Sequence, residues 1–241
     1  MLYIGIPVFN EAPTIGVLLW QVRKVFRDFP REYEVLVYDD ASTDATADVL
    51  HPYAEVLPLT VLHGGSHVGY SGALDALCRA ANSRTRYARR DALITMQGDF
   101  TDQPQDIPEL VKRFESGADI VVAERPSVAA APAPSPVRRL RRLAPWLVRA
   151  RVPGVSDPFG SFRLYRISVL REMLKRAADP GIPLVASSGW SANVELLQKA
   201  APLARRIETV TLTQRYDLRA RESRVRPLAD AVGLYRFGRE A

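Results

Sequence analysis

An α/β fold with a mostly parallel central sheet flanked by helices is predicted by three features of this 241-residue chain. Apolar runs of strand length alternate with segments of helical period through the first half. Two of those runs end in acidic stops: Tyr38-Asp39-Asp40-Ala41-Ser42-Thr43-Asp44 follows Val35-Leu36-Val37, and Gln97-Gly98-Asp99-Phe100-Thr101-Asp102-Gln103-Pro104 follows Ala92-Leu93-Ile94-Thr95-Met96. An apolar content of 47% is enough for one substantial core.

The elements follow in order. A strand is expected over residues 2–8, then a helix from about Ala12 to Phe29 with Ile15, Leu18, Leu19, Val22, Val25 and Phe26 at helical spacing. The strand at 34–38 leads to a helix near Ser42–Leu50, which Ser42 or Thr43 can cap. The strand at 57–62 closes in the turn His63-Gly64-Gly65-Ser66, and a helix from about Gly69 to Ser83 feeds the strand at 91–96. Pro108 opens a helix over 109–116, and a strand at 119–123 follows. This alternation argues for right-handed crossovers between parallel strands. Residues 126–136 form a Pro/Ala segment, read as extended or mobile. After it, Val137, Leu140, Leu143, Ala144 and Leu147 line one helical face and arginines the other, with a bend at Pro145. A helix is expected over Ala192–Ala200. There is no internal repeat, and the whole chain reads as one domain.

The net charge of +6 is unevenly spread, with Arg clustered at 138–151 and 205–226 and the acidic stops in the first half. Such a surface suits anionic lipid headgroups, a phosphorylated acceptor or nucleic acid, or is simply a solvated basic face. No interleaved aromatic platform supports nucleic acid as a partner. Lone Cys78, among Ala and Leu, reads as a buried thiol and fits a reducing, cytoplasmic setting. The first residues run straight into a strand without a charged leader, so no signal peptide is expected. No apolar stretch approaches the ~20 residues that span a bilayer. A soluble or peripheral protein is expected.

Carboxylates at the C-terminal edge of a parallel sheet sit where open α/β folds bind ligands. They suit a donor that offers a base N–H, sugar hydroxyls and a metal-bridged diphosphate, a nucleotide-sugar rather than a dinucleotide. One of Asp39 and Asp40 could accept from the base N–H and the other order the ribose or loop, or one could cap a helix. Pro7-Val8-Phe9-Asn10-Glu11 closes the first strand and brings Glu11 to the same edge. Asp99 and Asp102 form the second acidic pocket. Oxygen ligands of this kind suit Mg²⁺ or Mn²⁺ while leaving room for phosphates, and a turn-capping role is the alternative for either residue. His51, His63 and His67 lack metal-ligand spacing, and His67 is a turn residue that could also border the donor pocket.

These motifs, in this order, resemble family 2 glycosyltransferases of GT-A fold, and the resemblance covers roughly residues 2–226. It is carried by Ile4-Gly5-Ile6-Pro7-Val8-Phe9-Asn10-Glu11, the Asp39–Asp44 loop, Gly69-Tyr70-Ser71-Gly72-Ala73-Leu74 and Gln97–Pro104. Within the family the chain looks most like the polyprenyl-phosphate (dolichyl-phosphate-type) mannosyl- and glucosyltransferases. Ala123-Glu124-Arg125 follows the strand after the metal motif, as in those enzymes. Asp157-Pro158-Phe159-Gly160-Ser161-Phe162-Arg163 resembles their Asp-x-x-Ser-Gly-Phe-Arg signature with Ser and Gly exchanged. Arg219-Ala220-Arg221-Glu222-Ser223-Arg224 resembles their Arg-rich loop ending in Gly-x-Ser-Lys, with Arg221 for Gly and Arg224 for Lys. The metal motif departs too: Gln97 replaces the first Asp of Asp-x-Asp, so its amide oxygen brings no charge, and Thr101 stands where Gln is frequent.

The resemblance implies an inverting, metal-dependent hexosyltransferase that uses a GDP- or UDP-linked donor and a polyprenyl-phosphate acceptor. Residues 1–125 would be the nucleotide-sugar half, and 126–241 the acceptor half with the basic amphipathic segment 137–151. Pro7, Asn10, Glu11, Asp39 and Asp40, with Gln97 and Gly98, would hold the donor; Asp99 and Gln97 would bind Mg²⁺ or Mn²⁺. Arg219 and Arg224 would clamp the diphosphate. Arg125, Arg163 and Arg138 would hold the acceptor phosphate, and Asp99, Asp157 and Arg163 would be catalytic. A phosphate monoester has a second pKa of about 6, so it attacks without a general base but needs cations to hold it. A sugar hydroxyl would instead need a carboxylate, Asp157 or Glu195, unless Glu195 is only structural. The basic segment also suits a membrane surface, or simply packs on the core.

Other classes fit less well. A dinucleotide-binding Gly-x-Gly-x-x-Gly is missing after the first strand, and Gly69-Tyr70-Ser71-Gly72 has the wrong spacing for a hydrolase elbow. The Gly-rich, basic signature of a nucleotidyltransferase is also missing. A catalytically silent nucleotide-sugar-binding module, marked by Gln97, is the competing reading.

Overall fold

The computed structural model describes residues 1–124, 152–177, 182–189 and 191–212. In chain order the elements are β1 (Leu2–Val8), α1 (Ala12–Asp28), β2 (Tyr33–Asp39), α2 (Thr46–Val56), β3 (Leu59–His63), α3 (Gly69–Arg84), β4 (Ala92–Thr95), α4 (Ile107–Glu115) and β5 (Ile120–Glu124). They continue as β6 (Arg163–Arg166), α5 (Ile167–Arg176), α6 (Ser191–Ala200) and β7 (Ile207–Thr211).

The seven strands form one sheet in the order β3-β2-β1-β4-β6-β5-β7. β1 pairs in parallel with β2 and β4, β2 with β3, and β5 with β7, whereas β6 runs antiparallel to both β4 and β5. Every residue of β1 is buried, because helices cover both faces of the sheet. Apolar residues of α1, α2 and α4 make one core and those of α3, α5 and α6 the other. Cys78 lies in the second core, where burial pushes its thiol up to about 12. The chain winds outward from β1 through β2 to β3, then returns to β4 on the other side of β1. That reversal opens a crevice at the C-terminal ends of β1, β2 and β4.

α5 and β7 are not among the expected elements, and α2 and β6 also depart from expectation. α2 begins at Thr46 rather than Ser42, because the intervening backbone is captured elsewhere: Thr43 N donates to Asn10 Oδ1 at 2.8 Å, and Thr46 N to Asp44 Oδ1 at 3.0 Å. β6 is an antiparallel strand that apolar patterning does not reveal, since its four residues begin and end with arginine. The segments 126–136 and 137–151 lie outside the described residues.

Candidate active site

Three loops leave the sheet at its C-terminal edge, after β1, β2 and β4. Each contains one non-glycine residue in the left-handed region: Asn10 (φ 51°), Ala41 (φ 56°) and Phe100 (φ 62°). Such a conformation costs an L-residue roughly 1–2 kcal/mol, so the surrounding bonds must hold it.

The first two loops are stitched together. Asn10 N donates to Ser42 Oγ at 2.9 Å, while Asn10 Oδ1 accepts from Thr43 N and Asp44 N. Glu11 N donates to Thr46 Oγ1 at 2.9 Å, and Ala12 N to Asp44 Oδ2 at 3.2 Å. Burial pushes the Asp44 carboxyl up, but bonds from Thr46 and the Ala12 amide outweigh it and hold it below the usual carboxylate range. Glu11 is buried and accepts from the Thr14 hydroxyl.

Asp39 and Asp40 diverge. Asp39 ends β2, accepts from Ser42 N at 3.1 Å and lies 3.9 Å from His63 Nδ1. The Asp40 carboxylate turns to α3 instead: Oδ1 accepts from Val68 N at 2.7 Å and Oδ2 from Gly69 N at 2.9 Å. His67 Nδ1 lies 2.9 Å from Asp40 Oδ2. Expected at the nucleoside, Asp40 is thus engaged as the cap of α3, a helix distant in sequence, where its charge meets the positive end of the dipole. The His67 ring lies 4.3 Å from that of Phe9, so the two form an aromatic rim beside Asp40.

The loop after β4 holds the most deeply buried carboxylate of the edge. Asp99 has no exposed surface, and its Oδ1 accepts from Thr101 N at 3.1 Å. Gly98 lies against β1: a Cβ there would stand 3.2 Å from Val8 Cγ1. Asp102 faces inward and accepts from Gln97 N at 3.0 Å and from Ser161 Oγ at 2.7 Å. These bonds order the turn.

Comparison with known proteins decides the family. The family model "Glycosyl transferase family 2" matches residues 3–174. The chain belongs to glycosyl transferase family 2. Among curated relatives, this family 2 chain is 30% identical over 173 residues to the bactoprenol glucosyl transferase of Shigella phage SfV, covering 70% of this chain and 52% of that protein. It is 28% identical over 180 residues to the dodecaprenyl-phosphate galacturonate synthase of Rhizobium johnstonii, covering 70% and 48%. The chain thus spans about half the length of these relatives. Among solved structures, glucosyl-3-phosphoglycerate synthase from Mycobacterium tuberculosis, in complex with Mn²⁺, UDP and glucosyl-3-phosphoglycerate, superposes with a TM-score of 0.64 at 19% identity, covering 98% of this chain and 76% of that one. A mannosyltransferase from Pyrobaculum calidifontis, in complex with GDP-Man and Mn²⁺, gives 0.57 at 22% identity, covering 87% and 54%. The fold is GT-A.

A family 2 site of this fold implies a divalent metal. Among the described residues no group of three His, Cys, Asp or Glu side chains is gathered to hold one. The residues still fit a cation that keeps most of its ligands from water and phosphate. Asp99 supplies a buried carboxylate, and the Thr101 hydroxyl beside it is buried with no hydrogen-bond partner among the described residues. No described residue bonds to the Gln97 side-chain amide.

Two acceptor-side candidates are engaged within the fold. Arg163 sits inside the sheet on β6, 1% exposed, opposite Thr95 and Val122. Its guanidinium donates to the carbonyls of Asn193 and Pro158 and to the Tyr165 hydroxyl. These bonds make it a buried brace between α6 and the segment that carries Asp157. Glu195, a candidate base, is likewise committed: it accepts from Ala186 N and from Ser187 N at 2.8 Å and pairs with Lys199 at 2.7 Å. Asp157 is half-buried, with Oδ1 accepting from Phe159 N at 3.1 Å. Its segment hangs on Glu124, which ends β5 and accepts from the Ser156 hydroxyl at 2.8 Å. Arg125, Arg138, Arg219 and Arg224 lie outside the described residues.

Sequence reasoning missed the supports of this site. Tyr70 donates to Asn193 Oδ1 at 2.8 Å, and Asn193 Nδ2 donates to Phe159 O at 3.2 Å, which links α3, α6 and the Asp157 segment. Burial, with Asp102 nearby, pushes the Tyr70 phenol up, so it stays a donor. Asn193 carries no motif signal. Ser161, by contrast, falls inside the Asp157–Arg163 signature.

Proposed function

We propose that this chain carries the catalytic domain of an inverting glycosyltransferase that moves a hexose from a nucleotide-sugar to a polyprenyl phosphate. The carrying observation is the pairing of Asp99, buried at the end of β4, with Asp39 at the end of β2, on either side of β1 where the strand order reverses. Similarity to transferases named for dodecaprenyl phosphate and bactoprenol supports the acceptor class.

In this reading Pro7, Asn10, Glu11 and Asp39 border the nucleoside, and the Phe9–His67 rim offers a ring surface for its base. Asp99 and Gln97 would hold Mg²⁺ or Mn²⁺ near the diphosphate. A bound ion would neutralise charge building on the departing diphosphate. Arg219 and Arg224 would clamp that diphosphate, and Arg125 and Arg138 the acceptor phosphate. The acceptor oxygen then attacks the anomeric carbon from the face opposite the leaving group, which inverts the configuration. No side chain need remove a proton, because the phosphate is largely dianionic at neutral pH. The commitment of Glu195 to two backbone amides and Lys199 favours this over a hydroxyl acceptor with Glu195 as base.

No helix among the described residues is long and apolar enough to cross a membrane. A lipid-linked acceptor would then be met at a membrane surface, through the basic segment 137–151, on the cytoplasmic side.

The test is thermal stabilisation by GDP and UDP, each with and without Mn²⁺, followed by transfer from the matching sugar nucleotide to a polyprenyl phosphate in detergent. Metal-dependent stabilisation by one nucleotide, with product on the phosphate, is expected. Stabilisation without transfer to either a phosphate or a hydroxyl acceptor would favour the silent binder.

A further inference from the structure

The sheet edge opposite Asp39 and Asp99 carries a cavity of about 630 Å³. Its walls come from the turn before β4, the turn before β5, the end of β6, the exposed side of α5 and the segment that enters β7. About 13 Å of strand, the length of β4 at roughly 3.3 Å per residue, separates it from the loop that bears Asp99.

The charges in this cavity are unbalanced. Five cations line it, Arg89, Arg166, Arg171, Lys175 and Arg205, against two carboxylates, Asp119 and Glu172. Both carboxylates are already engaged. Asp119 Oδ1 accepts from Arg166 Nε at 2.6 Å and its Oδ2 from the backbone N of Arg205 at 2.9 Å. Glu172 faces Lys175 at 3.4 Å. Arg166 is held further by the carbonyls of Arg89 and Ala118 and by the Phe114 ring, 4.3 Å from its guanidinium carbon. The cavity floor is therefore a fixed ion pair.

Three guanidiniums remain. Those of Arg89 and Arg205 are on exposed residues with no carboxylate within ion-pair distance among the described residues. Arg171 also lines the cavity; its Nε donates to Asn82 Oδ1 at 2.8 Å, and no carboxylate lies within ion-pair distance of it among the described residues. Three forks around one concavity repel one another unless an anion joins them. A carboxylate has two oxygens and one charge, enough for one fork. A phosphate monoester brings up to two negative charges and three acceptor oxygens.

We propose that this cavity is a second, non-catalytic site for a phosphate monoester, remote from the donor crevice and independent of the reading given above. The group belongs either to a free phosphorylated molecule or to a lipid headgroup, and both would be bound through the same three guanidiniums.

The experiment compares the full chain, the double variant Arg89→Gln/Arg205→Gln and the donor-site variant Asp99→Ala. Inorganic phosphate is titrated by calorimetry. Flotation uses phosphatidylcholine vesicles with and without phosphatidic acid, whose headgroup is a phosphate monoester. Both substituted arginines are exposed, and an unchanged melting temperature checks that the double variant is folded. Wild type and Asp99→Ala should bind at least one probe alike, with affinity about tenfold or more weaker in the double variant and in raised salt. Phosphate binding without flotation assigns a free ligand; flotation dependent on phosphatidic acid and lost in the double variant assigns the headgroup. Equal binding by wild type and the double variant, loss in Asp99→Ala alone, or no binding of either probe by wild type overturns the proposal.

Discussion

The Ser161 hydroxyl donates to Asp102 Oδ2 at 2.7 Å, so the loop that follows β4 is fastened to the segment that enters β6. The same oxygen accepts from Gln97 N, and the Thr95 hydroxyl donates back to Ser161 O at 2.7 Å. The acidic loop is thus clamped by one aspartate, while the other, Asp99, is buried within it and accepts from Thr101 N.

This division of labour predicts opposite outcomes for two Asp→Ala variants. Asp102→Ala strands a buried hydroxyl and a backbone amide, which should cost about 1–3 kcal/mol in chemical denaturation. Metal-dependent stabilisation by the nucleotide should persist in the folded fraction. Asp99→Ala should abolish turnover and the metal-dependent part of that stabilisation. Wild-type rates in Asp99→Ala would sink the metal assignment.

Ala41 holds φ 56° directly after the Asp39-Asp40 pair. Replacing it with glycine removes the Cβ clash of the left-handed region, worth roughly 1–2 kcal/mol, at a smaller cost in unfolded-chain entropy. Ala41→Gly should therefore raise stability by up to about 1 kcal/mol with nucleotide binding intact. A destabilised variant would mean that the neighbouring bonds, not the backbone, set this loop.

Much of this architecture was legible because buried parallel strands and amphipathic helices write their periods into the chain. The runs Val35-Leu36-Val37 and Ala92-Leu93-Ile94-Thr95, each with a carboxylate just beyond, placed β2, β4 and the crevice between them. What was not legible depends on partners remote in sequence. Asp40 and Asp39 are adjacent and chemically identical, yet Asp40 serves amides 28 and 29 residues on. Arg163 resembled a phosphate ligand because its motif and charge said so. Only the carbonyls of Pro158 and Asn193, brought together by the fold, show that the charge is spent internally. β6 escaped periodicity for the same reason, since its terminal arginines bond to groups remote in sequence, Arg163 to the carbonyls of Pro158 and Asn193 and Arg166 to the Asp119 carboxylate and the Ala118 carbonyl.

The brace reading of Arg163 separates from the phosphate-ligand reading by experiment. Arg163→Lys keeps the charge but cannot reach two carbonyls and a hydroxyl at once. Loss of buried bonds to a charged group should lower stability by about 2–4 kcal/mol. The KM for the acceptor should stay within about twofold in protein that remains folded. A variant of unchanged stability with a large rise in acceptor KM would return Arg163 to the acceptor site.

Glu195 gives a pH signature. Burial pushes its carboxyl up, but bonds from Lys199 and from Ser187 outweigh this, and the folded value lies below the ordinary one. A carboxyl lowered on folding stabilises the protein fully above its unfolded value of about 4.3 and loses that contribution as pH falls through the folded value. Glu195→Gln removes the charge at every pH. Wild type should therefore be the more stable protein at pH 7, by an amount that stays constant down to about pH 5 and shrinks below about pH 4. Urea denaturation of both proteins across this range tests it. A gap that stays constant to lower pH would show that shape rather than charge holds residues 186–187 against α6, and a variant equal to wild type at pH 7 would remove Glu195 from the brace altogether.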